Sequence, residues 1–218
     1  MSKNVISNSV IRRLPRYYRF LGELEENGYI RISSRELSEK MGLTASQIRQ
    51  DFNCFGEFGQ QGYGYNVGEL RRQIGIILGL DKKTPMILMG AGNLGKAVAT
   101  HIDFGNRGFE LIGAFDVNPD IVGKQLGRIT VMDISELENF CTENKPEAAV
   151  LCVPQEVAEK ETNRLIGYGI HAFWNFTHYD LSISHENILV ENVHLGDSLT
   201  ILSYAINSAE KEQKNEDS

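Results

Sequence analysis

The spacing of apolar positions changes near residue 85. Before it, apolar residues recur at three- and four-residue steps. Beyond it, short solid apolar runs alternate with helix-like stretches. Val10, Leu14, Tyr17, Leu21 and Leu24 form one stripe, so residues 6–27 read as helical. Pro15 interrupts that stretch and predicts a short helix before it and a longer one after. Ser33-x-x-Glu36 is a capping box that opens a helix over 34–41, with Leu37 and Met41 inward and Gly42 suited to the left-handed residue that closes it. Thr44-x-x-Gln47 is a second capping box. Its helix carries Ala45, Ile48 and Phe52 on one face, with Ser46, Gln47, Arg49, Gln50 and Asn53 over the rest. Two short extended runs around residues 59–62 predict a hairpin, with Tyr63 or Tyr65 packing back on the preceding helix. Asn66 caps a further helix over 67–78, closed by Gly79.

Past the linker at 81–85, strands are expected at 86–89, 111–115, 128–131 and 148–153, a fifth at 170–175 and an edge strand at 188–193. Helical patterns at 94–102, 135–144 and 155–168 separate them. This alternation predicts a doubly wound parallel sheet, with ligands at the carboxyl ends of its strands. An amphipathic helix over 198–207 carries Leu199, Leu202, Tyr204 and Ile206, whose surface requires a partner. The polar residues 210–218 are expected to be disordered. The fold class is therefore α/β. A winged-helix domain (1–80) precedes a Rossmann-like domain (86–196), a terminal helix (197–209) and a tail.

The candidate chemistry sits where the first strand of the second half ends. Gly90-Ala91-Gly92-Asn93-Leu94-Gly95 follows it directly and opens a helix. The first glycine permits a tight turn, the second lets a diphosphate approach the backbone, and the third lets the helix pack on the sheet. The next apolar run, 109–115, ends at Asp116, where a carboxylate would hold a ribose hydroxyl and repel a 2′-phosphate; Val117 follows it. This order of strand, glycines, helix and acid points to NAD(H). Val153-Pro154 and Asn175-Phe176-Thr177 end later strands and are candidates for the cofactor's second half.

The net charge of −7 conceals an asymmetry. Residues 1–80 hold 11 basic against 8 acidic side chains, and residues 81–218 hold 11 against 21. Lys3, Arg12, Arg13, Arg16 and Arg19 precede the first acid. A basic head on an acidic body suits a polyanion partner. Two capped helices joined by a glycine-containing turn make a helix-turn-helix whose second member matches a major groove. The DNA-facing candidates are Arg12, Arg13, Arg16, Ser33, Thr44, Ser46, Gln47, Arg49, Gln50, Gln61 and Tyr63. Arg and Gln suit base edges, and Ser and Thr suit phosphates. No apolar run reaches the ~20 residues of a membrane span. A signal-peptide core is missing from the N-terminus. Cys54, Cys141 and Cys152 lack metal or redox spacing, which fits reduced cytoplasmic thiols without a metal. Cys152, in an apolar run, is expected to be buried and inert.

These stretches resemble the Rex family of redox-sensing transcriptional repressors. The resemblance is carried by Val10-Ile-Arg-Arg-Leu-Pro-Arg-Tyr-Tyr18, Arg31-Ile-Ser-Ser34, Thr44-Ala-Ser-Gln-Ile-Arg-Gln-Asp51, Phe55-Gly-Glu-Phe-Gly59, Gly62-Tyr-Gly-Tyr-Asn66, Ile77-Leu-Gly-Leu80 and the glycine motif, and runs from about residue 6 to 206. It implies a homodimer that binds a palindromic operator when NADH is scarce and releases it when NADH binds. It also implies a terminal helix exchanged between subunits, and it places Arg19 near the cofactor. Six positions depart from the family. His101 replaces a common tyrosine near the nicotinamide, and Val193-His194-Leu195 replaces Val-Asp-Leu, so that an Arg19–aspartate link across the dimer cannot form. Asn175-Phe176-Thr177-His178 replaces Asn-Phe-Ala-Pro. Gln50 and Cys54 stand where lysine and tyrosine are common. Three histidines at these places raise the question of a pH-sensitive response.

Two function classes remain open at this stage. One is a DNA-binding sensor with the dinucleotide as allosteric effector. The other is an NAD-dependent oxidoreductase with a structural N-terminal domain. The second requires a substrate domain, and only some 65 residues follow Val153; His178 is its one candidate acid.

Overall fold

The computed structural model describes residues 6–55 and 63–216, apart from the side chains of 210 and 212–216. The chain divides into two units, 1–82 and 83–218. The first strand of the second unit's sheet starts at Thr84.

The N-terminal unit opens with α1 (Asn8–Ile11) and α2 (Leu14–Glu26). Pro15 sits in the first turn of α2, where its missing N–H costs nothing. The predicted stripe is the buried one: Leu14, Tyr17 and Leu21 are fully buried, and Val10 and Leu24 nearly so. After β1 (Arg31–Ile32) come α3 (Ser34–Met41) and α4 (Ala45–Asn53). Both arms of the Ser33–Glu36 capping box form: the Glu36 amide donates to Ser33 Oγ at 3.1 Å and the Ser33 amide to Glu36 Oε2 at 2.8 Å. The second box is only half made. The Gln47 amide donates to Thr44 Oγ1 at 3.1 Å, but the Gln47 side chain turns inward to Asp51 instead of back to Thr44. The expected hairpin around 59–62 lies outside the described residues, as does Gln61. The strand that follows, β2 (Tyr65–Asn66), pairs antiparallel with β1. Tyr65 packs edge-on against Phe52 at 5.2 Å, while Tyr63 is exposed. Asn66 then caps α5 (Val67–Ile77), accepting from the Glu69 amide at 2.9 Å. Leu14, Tyr17, Leu21, Leu37, Ile48, Phe52, Leu70 and Ile74 form the core of this unit.

The second unit contains β3 (Thr84–Met89), α6 (Asn93–His101), β4 (Phe109–Asp116), β5 (Gln125–Leu126), β6 (Ile129–Asp133), α7 (Leu137–Asn144), β7 (Ala148–Leu151), α8 (Gln155–Gly167), β8 (Ala172–Asn175), α9 (Leu181–Ser184), β9 (Leu189–Asn192) and α10 (Leu195–Glu216). The sheet order is β5-β6-β4-β3-β7-β8-β9. All pairs are parallel except β5–β6. That short antiparallel strand left no mark in the sequence pattern, because two residues carry no periodicity. Alternate residues of β3 serve two cores. Ile87 and Met89 pack with Leu137 of α7 and Leu165 of α8, and Met86 and Leu88 with Val98 of α6. Solid apolar runs were thus the signature of strands covered on both faces.

The chain winds outward through β3, β4 and β6, then returns to β7 on the other side of β3. This reversal places a crevice at the carboxyl ends of β3 and β7. The terminal helix departs from expectation at both ends. It begins at Leu195 and continues to Glu216, so residues 210–216, expected to be disordered, are helical. Glu and Lys in this stretch are good helix formers, and low hydrophobicity by itself does not exclude a helix. Among the described residues, no helix is long and apolar enough to cross a membrane.

Candidate cofactor cleft and nucleic-acid face

The turn after β3 is built around missing side chains. Gly90 has φ of +87°, and a Cβ there would lie 2.5 Å from the Cys152 carbonyl oxygen. A Cβ on Gly95 would lie 1.9 Å from the Gly90 carbonyl oxygen. Both positions are therefore closed by backbone. Gly92 differs, since a Cβ there would meet nothing within 4 Å. Gly92 is the N-cap of α6 and supplies no side-chain cap. The first amides of α6 thus border open space, at the end of the helix where its dipole is positive. An uncapped helix start beside a glycine without neighbours fits a diphosphate.

Asp116, the last residue of β4, turns toward this loop. Its Oδ2 accepts from the Ala91 amide at 2.7 Å and its Oδ1 from the Asn118 amide at 2.9 Å. A carboxylate has about four acceptor positions, so two remain for ribose hydroxyls. Leu94, in the first turn of α6, and Val117, just after Asp116, are exposed apolar residues. Across β3, the Cys152 amide donates to the Met89 carbonyl at 2.8 Å, which draws Val153 and Pro154 alongside Gly90. Cys152 is part-buried, and burial pushes its thiol up to about 12. Cys152 is thus less buried than expected, although its thiol is held in the neutral form at neutral pH.

The next turn continues the row. The Phe176 amide donates to the Leu151 carbonyl at 3.0 Å, and the Phe176 ring packs on Trp174 at 4.7 Å. Asn175 is fully buried and already spent. Its Nδ2 donates to the Tyr179 carbonyl and to Asn192 Oδ1, and its Oδ1 accepts from the Thr177 amide and hydroxyl. The Asn175 and Thr177 side chains therefore shape the turn and tie it to β9. Of this trio, Phe176 is the residue left part-exposed beside the crevice. The same ties bring two sequence departures together: the His178 and His194 rings stack at 6.0 Å with 9° between planes. His101 is not brought to them. It ends α6, at the opposite end from Gly92, where the strands begin. Arg19 is exposed on α2, in the other unit.

The candidate DNA-facing residues divide into two groups. Ser46, Arg49 and Gln50 are exposed on α4, joined by Asn53. Arg49 also donates to Ser34 Oγ at 3.1 Å, leaning toward α3. Arg12 and Tyr63 are exposed. The hydroxyls of Ser33 and Thr44 accept the cap bonds of α3 and α4. The second group is engaged within the unit. Arg16, though exposed, donates to the Met41 carbonyl. Arg13 and Gln47 are bound to Asp51, a fully buried residue that sequence reasoning passed over. A signal was present: Asp51 lies between Ile48 and Phe52 on the inward face of α4, where an acid needs a partner. Among the described residues, no three His, Cys, Asp or Glu side chains gather as a metal site.

Comparison with known proteins fits both units. Residues 5–53 match a family model described as "Putative DNA-binding protein N-terminus", and residues 81–179 match one described as "CoA binding domain". A redox-sensing transcriptional repressor Rex from Thermoanaerobacter sp. is 52% identical over 208 residues, covering 95% of this chain and 92% of the relative. One from Clostridium botulinum is 50% identical, covering 95% and 99%. Among solved structures, RSP in complex with β-NAD⁺ and operator DNA matches with a TM-score of 0.88 and 51% identity, covering 97% of each chain. RSP in complex with β-NADH matches with a TM-score of 0.87 and 48% identity, covering 97% of this chain and 99% of that one. The chain belongs to the Rex family of redox-sensing transcriptional repressors.

Proposed function

We propose that this repressor binds a palindromic operator through two copies of α4 and is released when NADH occupies the cleft after β3. The observation that carries this reading is the likeness, over 97% of both chains, to a Rex-family repressor crystallised with β-NAD⁺ and operator DNA. Two local features agree with it: the open Gly92 cradle, and an exposed, polar, basic face on a short capped helix. NAD(H) supplies a diphosphate, two riboses and a ring whose oxidation state differs between effector and non-effector. The amides of the first turn of α6 take the diphosphate, and Asp116 accepts from a ribose. Val153, Pro154 and Phe176 line the way toward the ring. On the operator side, Arg49 and Gln50 reach base edges and Ser46 a phosphate.

Coupling between the two sites requires that the reduced cofactor prefer one arrangement of the DNA-binding units. It shifts operator affinity only by its differential affinity for the two arrangements. A palindrome requires two-fold symmetry, hence a homodimer. The exposed apolar residues of α10 are the natural surface for it. The working compartment is the cytoplasm, where operator and cofactor meet. An oxidoreductase reading gains no support, since the family is one of repressors. The test is direct. Binding to a palindromic operator duplex is measured while NADH is titrated against NAD⁺. Release by NADH, restored by excess NAD⁺, is expected; equal affinity at every ratio would refute the sensor.

A further inference from the structure

We infer that Asp51 is a positioning residue for operator recognition, and that Arg13 and Gln47 act through its buried carboxylate rather than by touching DNA. The inference rests on the reading of α4 as the operator-facing helix. Four donors converge on this one group. Asp51 Oδ2 accepts from Arg13 Nε at 2.7 Å and from the Tyr17 hydroxyl at 2.8 Å. Oδ1 accepts from Arg13 Nη2 at 2.8 Å and from Gln47 Nε2 at 2.9 Å. Asp51 is 0% exposed and the Arg13 side chain 28%. Arg13 is the N-cap residue of α2, and Tyr17 lies one turn further along it. The network therefore binds the start of α2 to the last turn of α4 at one point.

The chemistry separates this role from simple cohesion. The apolar contacts between the two helices, such as the Tyr17–Phe52 ring pair at 4.9 Å, tolerate a small rotation of α4 about its axis. Four directional bonds to a planar carboxylate do not. Rotation is the coordinate that matters, because it decides which of Ser46, Arg49, Gln50 and Asn53 face a groove. Buried ion pairs add little net stability over apolar packing, so their effect is better sought in orientation. The side-on edge of Arg13, formed by Nε and Nη2, is occupied by Asp51, so a bidentate phosphate contact through that edge is closed. One of the two Gln47 Nε2 protons is held by Asp51, which fixes the amide's orientation. Burial alone would raise the Asp51 pKa, but the Arg13, Tyr17 and Gln47 donors together with the Arg13 charge hold it below the ordinary value, so the group is ionised at neutral pH.

The test compares full-length variants on a palindromic duplex selected with the unmodified protein, across a salt series. Each variant is measured at a temperature where circular dichroism shows it folded. Arg13→Gln and Asp51→Asn should each lower operator affinity about tenfold, with the slope of log affinity against log salt unchanged. The double variant should be no weaker than the weaker single one. Discrimination against a base-substituted duplex should also shrink for Asp51→Asn, an effect that lost stability alone would not produce. Arg49→Ala, an exposed control, should reduce the salt slope or the base preference. Should Asp51→Asn not fold, Tyr17→Phe removes one donor from a fully buried ring and should still narrow that discrimination. A salt slope lower by about 1 for Arg13→Gln would make it a phosphate contact and overturn the inference. So would undiminished discrimination in Asp51→Asn or, if that variant does not fold, in Tyr17→Phe. Failure of the unmodified protein to select or bind any duplex would instead remove the operator reading itself, and this inference with it.

Discussion

Three glycines in one motif do different work, and single substitutions separate them. Gly95 abuts the Gly90 carbonyl, so Gly95→Ala must displace backbone and should cost about 3 kcal/mol or more of stability. Gly92 faces open space, so Gly92→Ala should change stability by about 0.5 kcal/mol or less while weakening NADH binding severalfold or more. Thermal melts together with calorimetric NADH titration of both variants check this; equal melting losses would contradict it. Asp116→Ala should weaken NAD(H) about tenfold or more, the cost of a lost charge-assisted hydrogen bond, and narrow the preference over NADP(H). Unchanged affinity for both cofactors would show that Asp116 serves only the loop amides it already holds. Asp51 supplies a pH prediction. Its pKa is lowered from 3.8 by folding, so its contribution is complete above that value and is lost as pH falls through the lower, folded one. Acid unfolding followed by circular dichroism should therefore be less steep below pH 3.8 in Asp51→Asn than in the parent.

At the scale of elements, α4 shows how far a sequence pattern reaches. Thr44 and Ile48, Phe52 and the exposed Ser46, Arg49 and Gln50 are placed as the helical period requires, because 3.6 residues per turn fixes faces once the cap is known. The same period could not assign Gln47, which sits at the edge between faces and was drawn inward by a buried charge. Arg49→Ala should therefore weaken operator binding tenfold or more while leaving NADH affinity intact. A gel shift over a salt series and a fluorescence titration of NADH check the two halves. Intact operator affinity would remove Arg49 from the interface.

At the scale of the molecule, α10 is the outlying feature. It is 22 residues, about 33 Å, and Leu199, Ile201, Leu202 and Tyr204 are each more than half exposed on it. A monomer would not be expected to leave that much apolar side chain in water. Replacing Leu199 and Leu202 together by glutamate should shift sedimentation from dimer to monomer. It should also abolish binding to a full palindrome, with weaker binding to a half-site retained. A dimer of undiminished stability would place the interface elsewhere.

The sequence by itself determined the two-unit order, the capped helices, the glycine turn with its following acid, and the basic head. Each is a local matter of period, cap chemistry or the absence of a side chain, and needs no knowledge of distant neighbours. Only tertiary structure decided that Asn175 and Thr177 spend their hydrogen bonds inside the turn, that His178 meets His194, and that Arg13 and Gln47 face a buried Asp51. Asn175 reaches Asn192, 17 positions away, and Arg13 reaches Asp51, 38 away, while Thr177 and Gln47 find their partners within four residues. What each side chain bonds is set by which unmet buried group lies within reach once the helices and strands have packed.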